Sequence, residues 1–151
     1  MAIIANPRKH FQFDIYIPGL NSMLAQKVHT PDNELDVVEH GDRGFLVKTA
    51  GLIKITTLKI EKIQSADTLD LFMYNWAQQI RNTITGGGAV PQVYKQSIMI
   101  QQYATDGLTV IQTWLCKGAW PHKINGIEFS RITSDNTIEN VDLCVDEMPV
   151  F

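Results

Sequence analysis

Seven or eight short stretches of alternating apolar and polar residues, against a single stretch with helical spacing, restrict this chain to a mainly β fold. Phe11-Gln-Phe-Asp-Ile-Tyr-Ile17 is the clearest of them, and it predicts a half-buried strand with Phe11, Phe13, Ile15 and Ile17 inward. Pro18-Gly19 ends it with turn chemistry. A weaker strand is expected over 23–28 and a turn at Pro31-Asp32-Asn33. Glu34 to His40 follows, with Leu35 and Val37 on one face and Glu34 and Asp36 on the other.

The middle of the chain is less regular. Gly41 to Gly51 holds three glycines and mixed charge, and reads as a long loop or a loose hairpin arm. Ile53 to Lys62 is β-rich, but its apolar parity changes between Thr57 and Leu58, as an inserted bulge would make it do. Asp67 is a good N-cap for the one convincing helix, expected at about 67–82, and Asp70 suits its N-terminal dipole. Leu69, Phe72, Met73, Trp76 and Ile80 recur at helical spacing, so this face should dock on the sheet of its own subunit. Thr83 to Pro91, with Gly86-Gly87-Gly88, reads as a flexible connector.

Turn dipeptides organise the rest. Val93 to Tyr103 and Leu108 to Lys117 flank Asp106-Gly107; Ala119 to Ile124 and Ile127 to Ile132 flank Asn125-Gly126. Pro121 belongs at an edge or bulge, because it cannot donate to a ladder. A last strand alternates Glu139, Val141, Leu143 and Val145 with Asn140, Asp142, Cys144 and Asp146. The expectation is one domain over residues 1–151: a β-sandwich or barrel with one flanking helix and an extended arm at about 41–51.

Little points to chemistry. The four histidines are widely spaced and fit no metal motif, and Gly86-Gly87-Gly88 lacks the Lys-Ser/Thr of a phosphate loop. Asp32, Glu34, Asp36, Glu39 and Asp42 do not have calcium-loop spacing, so a solvated acidic face is expected. No catalytic residue, cofactor or metal site is expected. The net charge is −3 and the basic residues are scattered, which argues against gripping phosphates. No stretch approaches the ~20 apolar residues of a membrane span, and the N-terminus lacks the order of a secretory signal, so folding in a cytoplasm is expected. Cys116 and Cys144 form no paired motif; parity predicts Cys116 buried and Cys144 more exposed, and whether either enters a disulfide stays open.

Read in order, certain pieces resemble a known family. They are Ile17-Pro18-Gly19-Leu20, an acidic strand, a glycine-broken arm, and Ile55-Thr56-Thr57-Leu58-Lys59 before the helix Asp67-Thr68-Leu69-Asp70-Leu71-Phe72-Met73-Tyr74-Asn75-Trp76. They continue with Trp114-Leu-Cys-Lys-Gly-Ala-Trp-Pro121 and Glu139-Asn-Val-Asp-Leu143. Over residues 11–148 this resembles the tail tube protein family of contractile-tailed bacteriophages, related to the tube proteins of R-type bacteriocins and type VI secretion systems. Cys116, where a larger aliphatic residue is expected, and the triple-glycine connector depart from the pattern.

The resemblance implies a structural virion protein. Hexameric rings would stack into an inner tail tube through which DNA passes, and one sheet from each copy would join its neighbours around the channel. A baseplate or tail-end ring protein of the same fold, or the tube of a bacterial contractile injection system, is the alternative. The implied partners are further copies of the chain, the tail sheath protein, and baseplate and tail terminator proteins, with DNA transiting unbound and no membrane involved. The expected place is the phage tail, assembled in the host cytoplasm. Glu34, Asp36, Lys95, Ser97, Gln101 and Thr113 are the candidate lumen-facing residues. The inter-subunit arm would use Asp42, Arg43, Phe45, Leu46, Val47 and Lys48; the alternative is that Phe45 and Val47 fold back on their own core.

Overall fold

The structure is a computed structural model that describes residues 7–20, 25–64 and 69–151. Its described strands are β1 (Phe13–Tyr16), β2 (Ala25–His29), β3 (Asn33–Asp42), β4 (Phe45–Ile55), β5 (Leu58–Ile63), β6 (Gln96–Tyr103), β7 (Val110–Ile124) and β8 (Ile138–Cys144), with helices α1 (Phe72–Ile80) and α2 (Pro91–Tyr94) between β5 and β6. Asp67, expected as the N-cap, and the first two residues of the weak strand expected over 23–28 lie outside the described residues.

A six-stranded antiparallel sheet runs β1-β6-β7-β8-β5-β2, and β3-β4 forms a separate two-stranded ribbon. β7 pairs with β6 from Val110 to Ala119 and with β8 from Trp120 to Ile124, so one long strand serves both layers of a sandwich. The change of direction falls at Gly118, which has a positive φ of 67°. A Cβ there would collide with the Asp146 carboxylate, so only glycine satisfies both demands. The sheet does not close into a barrel: among the described residues, β1 and β2 remain open edges.

Inward side chains of both layers meet in one core. Ile15, Ile17, Ile98, Ile100 and Cys116 come from β1, β6, β7 and the turn after β1; Leu58, Ile60, Val141 and Leu143 come from β5 and β8. Met73 and Trp76 cover the cluster from α1, with Phe72 and Ile80 packed beside them. Leu69 departs from the helix-docking set: it precedes the helix and is 84% exposed. α1 begins at Phe72 with no side-chain cap. Asp70 serves another purpose than the helix dipole, for it binds Lys62 of β5, Nζ to Oδ2 at 2.6 Å.

Several expectations change. Trp120 to Ile124 is paired by β8, and Ala119 by β6, not by Ile127 to Ile132. Residues 126–137 form no strand, and Phe129 and Ile132 are exposed. Asn125 is not a hairpin corner, because its N–H still donates to Asn140 O at 2.9 Å. The parity change before Leu58 is no bulge either: Thr56-Thr57 interrupts the chain as it passes from the ribbon into the main sheet. The connector after α1 is hydrogen-bonded, Asn82 N–H to Gly87 O and Gly86 N–H to Asn82 O, and it leads into the unforeseen α2. Phe11 lies before β1 and is exposed. Asp106-Gly107 does make a turn, with Asp106 accepting from the N–H groups of Leu108 and Thr109, which lowers its pKa. Pro121 sits where the β7–β8 register shifts, as its missing donor requires.

Candidate functional site

The most unusual surface is the ribbon. β3 follows β2 after three residues and β5 follows β4 after two, so the ribbon extends the β2–β5 ladder outward. Thr56 N–H donates to Asp32 O at 3.1 Å, and Asp32 N–H donates to Thr56 Oγ1 at 2.6 Å, which ties its base. At the far end Arg43 and Gly44 both have positive φ, the signature of a tight type I′ turn. The stretch Gly41 to Gly51 is therefore no loop; it is the outer half of a hairpin that runs from Asn33 to Ile55.

Its side chains lack cover. Every β3 residue is exposed, as are most of β4, including Phe45 at 77% and Leu46 at 69%. Leu35, Val37, Leu46, Ala50 and Ile53 share one face, judged by direct opposition across the ribbon, with only the Glu39–Lys48 pair at 3.9 Å among them. Leu35 and Val37 thus share a face as their parity requires, but that face meets solvent. Phe45 and Val47 do not fold back on their own core. A lone two-stranded ribbon is marginal in water.

The candidate lumen residues fall in two groups. Ser97, Gln101 and Thr113 lie on the outer face of the β1-β6-β7 ladder, where Asp14, Gln101 and Thr113 stand in one row. In the next row stand Tyr16, Met99 and Leu115, and the Tyr103 hydroxyl donates to Asp14 Oδ2 at 2.8 Å. The hydroxyl–hydroxyl hydrogen bond with Tyr16, and after it the one to Asp14, raise the Tyr103 pKa. Glu34 and Asp36 instead lie on the ribbon, away from this ladder. Lys95 precedes β6 and binds Asp146 at 2.7 Å, which raises its pKa.

Between the open edges of β1 and β2 runs a groove of about 890 Å³, floored by Phe13, Val28 and Trp114. Nothing in the linear sequence marks it, because β1 and β2 meet only through the sheet. Among the described residues no three His, Cys, Asp or Glu gather as a metal site, and no helix is long and apolar enough to cross a membrane.

The two thiols are free and differ in environment. Cys116 is fully buried, and burial pushes its pKa up to about 11. Burial also raises Cys144, with Asp146 adding and Lys95 opposing. At neutral pH the thiolate fraction of Cys116 should be about 100-fold below that of an unperturbed thiol. Labelling the folded protein should therefore modify Cys144 first, and faster modification of Cys116 would contradict this placement.

A family model described as T4-like virus tail tube protein gp19 matches residues 9–149. No curated protein sequence matches the chain. Among solved structures, the chain is similar to one in the anti-feeding prophage cap (AFP tube terminating cap), with TM-score 0.80 and 19% identity over 100% of this chain and 95% of that one. It is similar to a chain of the PVC sheath-tube complex of an extracellular contractile injection system, in the extended state, with TM-score 0.75 and 20% identity over 96% and 91%. Hcp1 from Flavobacterium johnsoniae gives TM-score 0.55 and 10% identity over 91% and 93%. At such identities these likenesses concern the fold. The family match spans nearly the whole chain, so this protein belongs to the T4-like virus tail tube protein family, a family of structural tube proteins and not of enzymes.

Proposed function

We propose that this chain is the repeating subunit of a contractile tail's inner tube, assembled as stacked hexameric rings around a channel for DNA. The observation that supports this reading is the arm, an apolar ribbon left uncovered by its own subunit. Buried against a neighbour, Phe45, Leu46 and Val47 would each contribute roughly 1.5–3 kcal/mol of transfer free energy, offset in part by ordering. The arm residues Asp42, Arg43, Phe45, Leu46, Val47 and Lys48 then bridge copies. Further partners on this reading are the sheath, baseplate and terminator proteins of the same tail.

Shortening the segment Gly41 to Gly51 to a tight turn should give a folded, soluble protein that cannot build long tubes, because no core residue lies in the deleted part. Tubes of normal length from that variant would refute the arm's role.

In the tube, the channel wall would draw on Glu34, Asp36, Lys95, Ser97, Gln101 and Thr113. Lys95 is already engaged by Asp146, so this set offers phosphates no free cation. The isolated protein should show no measurable DNA affinity at physiological salt, since each phosphate contact would add to the hold on passing DNA. Tight, salt-sensitive binding in a filter or fluorescence titration would contradict the channel-wall assignment.

A further inference from the structure

The arm tip offers apolar groups and a carboxylate, and the groove offers an apolar floor and basic side chains, of which Lys27 stands opposite Glu61 across the β2–β5 ladder. The groove's floor is apolar, and its rim carries Lys27 and His29 from β2. Its one carboxylate, Asp14, already accepts the Tyr103 hydroxyl. At the tip, Phe45 stands directly opposite Asp42, and Val47 opposite His40. These four side chains share a face, so two apolar groups project together with a carboxylate beside them.

An arm cannot fill the groove of its own subunit. β3 carries the tip nine residues beyond the base, about 30 Å at ~3.3 Å per residue, while β2, which lines the groove, ends at that base. We infer that the groove between β1 and β2 receives the arm tip of a second copy, with Phe45 and Val47 on the apolar floor and Asp42 beside Lys27. This rests on the tube reading above and adds to it the seat of the arm. Among the described residues neither β1 nor β2 has a second strand along its outer edge, so both edges offer the incoming ribbon donors and acceptors to pair with.

The test is a chain carrying both Phe45→Cys and Val28→Cys, assembled and then mildly oxidised. The expected result is a ladder of covalent oligomers on a non-reducing gel, absent from the wild type and from a control pairing Phe45→Cys with Tyr74→Cys on the exposed side of α1. A second measurement uses charge: Asp42→Lys should abolish long tubes, and adding Lys27→Asp should restore them. Tubes that form normally without the 45–28 cross-link, or with Asp42→Lys unimpaired, overturn this seat and leave the tube reading standing. Wild-type protein that builds no tubes overturns both.

Discussion

Trp76→Ala should lower the stability of the folded subunit by about 3–5 kcal/mol, the range for deleting a large buried aromatic ring. Trp76 is buried in the face of α1 that covers the core, edge-on to Phe72 at a centroid distance of 6.1 Å. Its indole N–H also donates to Tyr94 O at 2.7 Å, which pins α2 against α1. The substitution thus removes packing and also leaves the last carbonyl of α2 without that donor. Trp76→Phe should recover much of the packing and not the hydrogen bond, and so fall between the two. Chemical denaturation of the unassembled subunit reads the effect. A midpoint unchanged in Trp76→Ala would mean that this face is not core.

Asp70→Ala should cost a comparable 3–5 kcal/mol, by another mechanism. Lys62 stands in the inward row of β5 with Leu58 and Ile60, and its side chain is wholly shielded from solvent. An ammonium there is tolerable only with a partner, and Asp70 supplies one at 2.6 Å. Glu139 stands opposite Lys62 across the β5–β8 ladder and accepts the Gln64 amide at 2.9 Å. Removing Asp70 strands a buried cation. Adding Lys62→Met should recover part of the loss, because a thioether needs no counter-charge. A cost below about 1 kcal/mol for Asp70→Ala, or additive losses in the double variant, would contradict a buried coupled pair.

The legible parts of the fold were those with one wet side and one dry side. Met73, Trp76 and Ile80 declare a helix, and Val141 and Leu143 declare a strand, because polar residues at the intervening positions meet solvent. The arm lacks that contrast. Phe45-Leu46-Val47 is apolar on both faces since neither face has a core to turn towards, so its sequence reads equally as a long loop or a loose hairpin arm. Ile127 to Ile132 shows the reverse error, since its alternation and the Asn125-Gly126 dipeptide imitate a hairpin. The β8 strand takes that pairing, and a segment that begins eleven residues further on cannot be ranked against a near one by pattern alone. The Lys62–Asp70 pair depends on how the chain turns between β5 and α1, and the groove on strands that converge only in three dimensions.

Electron microscopy of the purified, concentrated protein shows whether the subunit works by polymerising into a hollow tube. Rings and hollow tubes of uniform diameter are expected, six-fold symmetric in end view, with each arm in contact with a neighbouring copy. A protein that stays monomeric at high concentration, or that associates only into solid or irregular particles, would contradict assembly into a tube.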